Sequence, residues 1–197
     1  MTSALRTQLL RFILRSLILS ISVLFAVSIS AQTRDHLTDA ETDLLRYWQE
    51  LDKRTEVFIK AADRRFAIIN GAAQPAMKKA MKDEPDWGDA PKGTRVQLLG
   101  DIAGILDEAI TNIDDAAAHD PKNPLVTRAL KKLNNAANGY VNQLNSLKTK
   151  TTDPDEVAAL ERINDEAREI MEASGHLVSG AVDDAQPDKK DKKKKPK

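Results

Sequence analysis

The side chains in this chain best suited to chemistry are its three histidines, His36, His119 and His176. Two of them follow a carboxylate by four positions, His119 after Asp115 and His176 after Glu172. That spacing brings imidazole and carboxylate to one face of a helix, where the pair can share a divalent cation. His36, His119, His176, Asp115 and Glu172 are therefore the candidate metal ligands, a donor set suited to zinc, copper or nickel. The grouping requires all three histidines to meet at one end of the molecule. The competing reading makes each an exposed partner of a helix C-terminal dipole.

Residue types remove most other chemistries. The chain has no cysteine, hence no disulfide framework, thiol nucleophile or lipid-attachment cysteine. It also lacks the Glu-x-x-His pairs of di-iron bundles, a C-x-x-C-H haem site, HExxH, a phosphate-cradling glycine loop and a Ser/His/Asp order. No catalytic residue is nominated, no cofactor is implied, and the expectation is a protein that is not an enzyme.

Two features point to binding instead. Trp87 lies in the turn-rich stretch DEPDWGDAPKG, either capping the end of a helical body or exposed as a partner anchor. The last nine residues hold seven lysines, among them Lys192, Lys193, Lys194 and Lys195, a block of like charge that cannot bury itself and is expected to be disordered. The leader carries +3 and this tail +6 of a chain that is neutral overall, so the body between them stands at −9. An acidic body with a cationic arm suits an envelope protein or an anionic lipid or polysaccharide surface. Nucleic acid is disfavoured, since no clustered aromatic platform is present for stacking bases.

The N-terminus decides where such contacts are made. Arg6, Arg11 and Arg15 precede the apolar run LILSISVLFAVSIS, and no acid occurs before Asp35. A positive start, an apolar centre and a small-residue exit make a secretory signal, with cleavage expected after Ser30 or Ala31. The alternative is an inner-membrane anchor, because the uncharged stretch of residues 16–33 approaches the ~20 residues that span a bilayer. With no cysteine and no N-x-S/T sequon, the expectation is a bacterial periplasmic or secreted protein with no membrane span after cleavage. The domain reading is residues 1–30 signal, 31–182 helical body and 183–197 basic tail.

The elements that must position these residues are helices. The core residues are mainly Leu, Ile, Val and Ala, and the chain after residue 30 has six aromatic residues. The capping box TDAE opens a first helix at Thr38, whose seam Leu37, Leu44, Trp48, Leu51, Phe58, Ala62, Phe66, Ile69 predicts one rod of about 48 Å ending at Asn70-Gly71. Pro75 starts a short extra helix carrying Met77 and Met81. TRVQ opens a second long helix at Thr94, with the seam Leu99, Ile102, Leu106, Ala109, Ile113, Ala116. Asn123-Pro124 opens a third, whose apolar residues alternate by four and three from Val126 to Leu147. DPDE opens a fourth, with Asp153 as cap and Glu156 reaching back to it.

Each seam is a single stripe that must bury against the others, so the fold class is an all-α antiparallel four-helix bundle. Residues 94–120, 121–150 and 151–188 carry net charges of −5, +6 and −9, which predicts the basic helix flanked by the two acidic ones. The same basic helix bears Asn134, Asn138, Asn142 and Asn145 beside its seam. They form either an adhesive polar groove or amides bonded to a neighbouring helix.

Overall fold

The fold is taken from a computed structural model, which describes residues 35–73 and 81–183, with side chains as far as residue 176. All of them lie in the compact unit that begins at Asp35. The described residues form five helices: α1 Asp39–Tyr47, α2 Leu51–Ile69, α3 Arg95–His119, α4 Pro124–Lys148 and α5 Pro154–Asp183. The leader, the short helix expected after Pro75 and the lysine tail fall outside the described residues.

The capping signals act as the sequence implies, with one exception. Thr38 Oγ1 accepts from Glu41 N at 3.2 Å while Glu41 Oε2 accepts from Thr38 N at 2.9 Å, and Thr94 and Gln97 repeat the exchange. Asn123 Oδ1 accepts from Leu125 N, placing Pro124 in the first turn of α4. Before α5, Asp153 Oδ1 accepts from Asp155 N. Glu156 does not reach back, because its carboxylate takes Arg95 Nε of α3 at 2.9 Å. A charged partner on a neighbouring helix outcompetes a neutral backbone N–H.

The first rod is interrupted. Trp48 adopts an extended conformation and Gln49 Nε2 bonds back to the Arg46 carbonyl, so α1 ends and α2 restarts at Leu51. Trp48 and Leu51 consequently pack at the edge of the core, whereas Leu45, Val57 and Ala61 are buried. Gly71, at φ +65°, closes α2 in the left-handed conformation expected of the Asn-Gly stop.

Packing is broadest for α4 with α5, α2 with α3 and α3 with α5, followed by α2 with α4. The long helices thus form a ring in the order α2, α3, α5, α4, and the sequential pair α3 and α4 makes a lesser contact. The expected arrangement of basic α4 between acidic α3 and α5 gives way to α4 between α5 and α2. Its ion pairs run to α2: Lys132 Nζ lies 3.1 Å from Asp52 Oδ2 and 2.5 Å from Glu56 Oε1, with Arg128 3.5 Å from Asp52. Segment charge failed as a guide because each exposed pair contributes only ~0–1 kcal/mol, far less than the fit of apolar faces.

Among the described residues, no helix is long and apolar enough to cross a membrane.

Candidate functional site

The densest polar arrangement lies inside the molecule, where α1, α2, α3 and the loop 84–91 meet. Arg64 and Arg65 of α2 are 3 % and 1 % exposed, Glu41 of α1 is fully buried, and Asp101 of α3 is 5 % exposed. Glu41 Oε1 accepts from Arg64 Nη1 at 2.8 Å and Arg65 Nη1 at 3.1 Å, and its Oε2 accepts from Arg65 Nη2 at 3.0 Å. The carboxylate that completes the Thr38 capping box therefore also clamps two guanidiniums. Arg65 Nε sits 3.5 Å from Asp101 Oδ2, an ion pair without hydrogen-bond geometry.

The remaining donors hold loops. Arg64 donates to the carbonyls of Trp87, Gly88 and Asp89, and Arg65 donates to those of Ala61 and His36. A guanidinium suits this task because it cannot lose its proton and presents a rigid fan of N–H groups. Two cations and two carboxylates give a set of formally zero charge, which offsets the cost of removing four ions from water. Gly88, at φ +62°, lets the loop lie against α1, where an added Cβ would come within 2.8 Å of the Ala40 Cβ.

Trp87 is 6 % exposed within this loop. Lys60 and Arg64 stand over its ring at 5.8 and 5.6 Å, within cation–π range, while its Nε1 is buried without a hydrogen-bond partner among the described residues. Near it, Glu84 accepts from Trp48 Nε1 at 3.4 Å.

His36 and His119 have different partners. His36 Nε2 lies 2.7 Å from Glu108 Oε2, halfway along α3 rather than at its end. His119 Nδ1 bonds the carbonyl of Asp115, not its carboxylate, at 2.7 Å. Glu172 and His176 are exposed on α5. Among the described residues no group of three or more His, Asp or Glu side chains is placed to hold a metal ion. Lys192 to Lys195 fall outside the described residues.

Beside the buried set opens a cleft of about 420 Å³. Leu37 and Leu45 line its apolar part, and Asp35, Thr42, Arg46, Gln49, Arg54 and Glu108 its polar part. Arg46 is engaged by Asp43 at 3.0 Å, but Arg54 Nε is buried with no hydrogen-bond partner among the described residues.

Sequence reasoning missed the arginine pair. The signal was available: Phe58, Ala62, Arg65 and Ile69 step by four, three and four, so Arg65 occupies a core position of the α2 seam. A charge there requires a buried partner.

A second polar group joins α2 to α4. Tyr140 Oη lies 2.8 Å from Asp63 Oδ1 and 3.1 Å from the Ile59 carbonyl, and the Tyr140 ring stacks on Phe66 at 4.9 Å. Burial pushes the Asp63 carboxyl above its usual range against the Tyr140 hydrogen bond, and burial with the neighbouring Asp63 charge raises the Tyr140 phenol.

No protein-family model matches the chain, and neither a curated protein nor a solved structure matches it.

Proposed function

We propose that this chain is an exported, non-enzymatic helical bundle of the bacterial envelope that acts through contacts of its surface with a protein or an anionic surface. The observation that carries this reading is the segregation of exposed charge. The buried set of Glu41, Arg64, Arg65 and Asp101 is spent within itself and on backbone carbonyls, whereas outward acids outnumber bases on α3 and α5 and are missing from α4. Asp107, Asp114 and Asp115 face solvent on α3, and Glu161, Asp165, Glu169 and Glu172 outnumber the exposed Arg162 and Arg168 on α5. Arg128, Lys131 and Lys148 face it on α4, a helix with no acid at all, and Lys150 faces it in the turn just beyond. Burial, reinforced by Asp107 and Glu169, pushes the Glu166 carboxyl above its usual range, a sign of how densely acids gather between α3 and α5. Such fields set which partners approach and how fast.

Export is supported by the arginine-flanked apolar leader, and an added cationic arm by the seven terminal lysines. Alternating helix direction is supported by side-chain register. Asp52 with Lys132, Asp63 with Tyr140 and Asn70 with Gln143 rise together along α2 and α4. Arg65 with Asp101 and the Ile69 carbonyl with Arg95 run in opposite senses along α2 and α3. Cross-linking capture from the native envelope, with intact mass recorded on the same sample, tests the proposal. It expects loss of about thirty N-terminal residues and a reproducible envelope partner. Full-length chain recovered from the cytosol, Met1 attached, overturns it.

The cleft favours a second reading, a small anionic ligand held by Arg54 over Leu37 and Leu45. Arg54→Gln that leaves the melting temperature and every calorimetric response to organic carboxylates unchanged would dismiss it.

A further inference from the structure

The solvent face of α4 is unlike the outer face of the other helices. Arg128, Lys131, Asn138, Gly139, Asn142 and Asn145 are all exposed and fall within one stripe at helical spacing. Asparagine and glycine are poor helix formers, and an exposed face calls for neither. Among the described residues these amides make no bond to a neighbouring helix, the second of the two readings above. Asn138 Nδ2 instead donates to the Asn134 carbonyl at 2.8 Å and Asn142 Nδ2 to the Asn138 carbonyl at 3.4 Å. Each amide is thereby tied down one turn back along its own helix, and neither amide oxygen has a partner among the described residues.

Unfavourable local choices with no structural return mark places kept for function. From this face we infer that α4 is a docking surface for an anionic polysaccharide, a partner whose hydroxyls meet the fixed amides and whose carboxylates meet Lys131 and also Arg128, which lies 3.5 Å from Asp52 but keeps most of its side chain exposed. An amide both donates and accepts, as a sugar hydroxyl does, and Asn138 and Asn142 repeat that group about 6 Å apart, one helical turn. Gly139 between them leaves the surface shallow. The stripe holds no aromatic or aliphatic anchor of the kind that protein partners and lipid insertion require, and no acid to repel an anion. The inference rests on the surface-contact reading above and specifies its partner.

The test is titration of the purified full chain with polygalacturonate, with neutral dextran and anionic phospholipid vesicles as parallel arms. Its variants are the triple change Asn138→Ala, Asn142→Ala, Asn145→Ala and the single change Lys131→Gln. Wild type is expected to bind polygalacturonate and not dextran at low salt. The triple variant should lose at least tenfold in affinity while its melting temperature rises, because alanine is the better helix former; weakened binding cannot then be blamed on unfolding. Lys131→Gln should lose severalfold, and vesicle binding should be the same in all three proteins. Unchanged affinity in the triple variant assigns binding to the lysine tail and overturns the inference, as does wild type that fails to bind or a vesicle signal that falls in step. Failure here leaves the export reading standing, since envelope capture with intact mass decides that separately.

Discussion

Glu41 does three jobs with two oxygens: it closes a capping box, accepts from Arg64 and accepts from Arg65. Removing its charge while leaving its shape should therefore strand two guanidiniums in the interior. Glu41→Gln is expected to cost about 3–5 kcal/mol in urea unfolding, and Glu41→Leu combined with Arg65→Met should recover part of that loss, because a buried pair removed whole costs less than one left half made. Asp63 poses a different problem. Tyr140 has one hydroxyl hydrogen but two acceptors in reach, the Asp63 carboxylate and the Ile59 carbonyl. Protonated Asp63 can donate to Tyr140 and free that hydrogen for Ile59, consistent with a carboxyl held high by burial. Because its folded pKa exceeds its unfolded one, Asp63 favours the fold below the ordinary aspartate range and loses that favour as pH rises through the folded value. Melting curves across pH should show Asp63→Asn gaining on wild type above about pH 4; a gap independent of pH would refute this account.

Among the elements, α1 and the loop 84–91 depend on tertiary contacts, since α1 has nine residues and packs chiefly on α2. Two glycines separate conformational strain from crowding. Gly71→Ala meets open space and should cost roughly 1 kcal/mol for its left-handed backbone. Gly88→Ala shares that backbone and also drives a methyl against Ala40, so thermal unfolding should show a loss of about 2–4 kcal/mol. The α2–α4 seam carries its own pH signature. Burial pushes the carboxyls of Asp52 and Glu56 up, but Lys132, joined by Arg128 at Asp52 and by Lys53 and Lys60 at Glu56, holds both below their usual range. Stability from depressed carboxyls is present above their unfolded pKa and fades as pH falls through the folded one. Lys132→Met should thus cost about 1 kcal/mol at neutral pH, a difference that shrinks below about pH 4. An equal difference at pH 3 and 7 would assign the loss to packing.

For the whole molecule, the −9 body and the +6 tail predict two separable kinds of surface contact. Deleting residues 187–197 should lower association with anionic vesicles at low salt, read by co-sedimentation, and should not alter the melting temperature. Undiminished sedimentation would remove any adhesive role from the tail.

Helix existence, most helix starts and the core of α4 were legible from the chain alone. Val126, Leu130, Leu133, Ala137, Tyr140, Leu144 and Leu147 are all buried at the spacing their sequence shows. Periodicity and capping are local properties, written within one or two turns. The break at Trp48–Glu50, the ring order of the helices and the meeting of Glu41, Arg64, Arg65 and Asp101 were decided only in three dimensions. Each depends on groups far apart in the chain, and a periodic pattern records that a face is covered without recording what covers it. Helical spacing could pair Asp115 with His119 on one turn, but only packing set His36 against Glu108 and His119 on the Asp115 carbonyl.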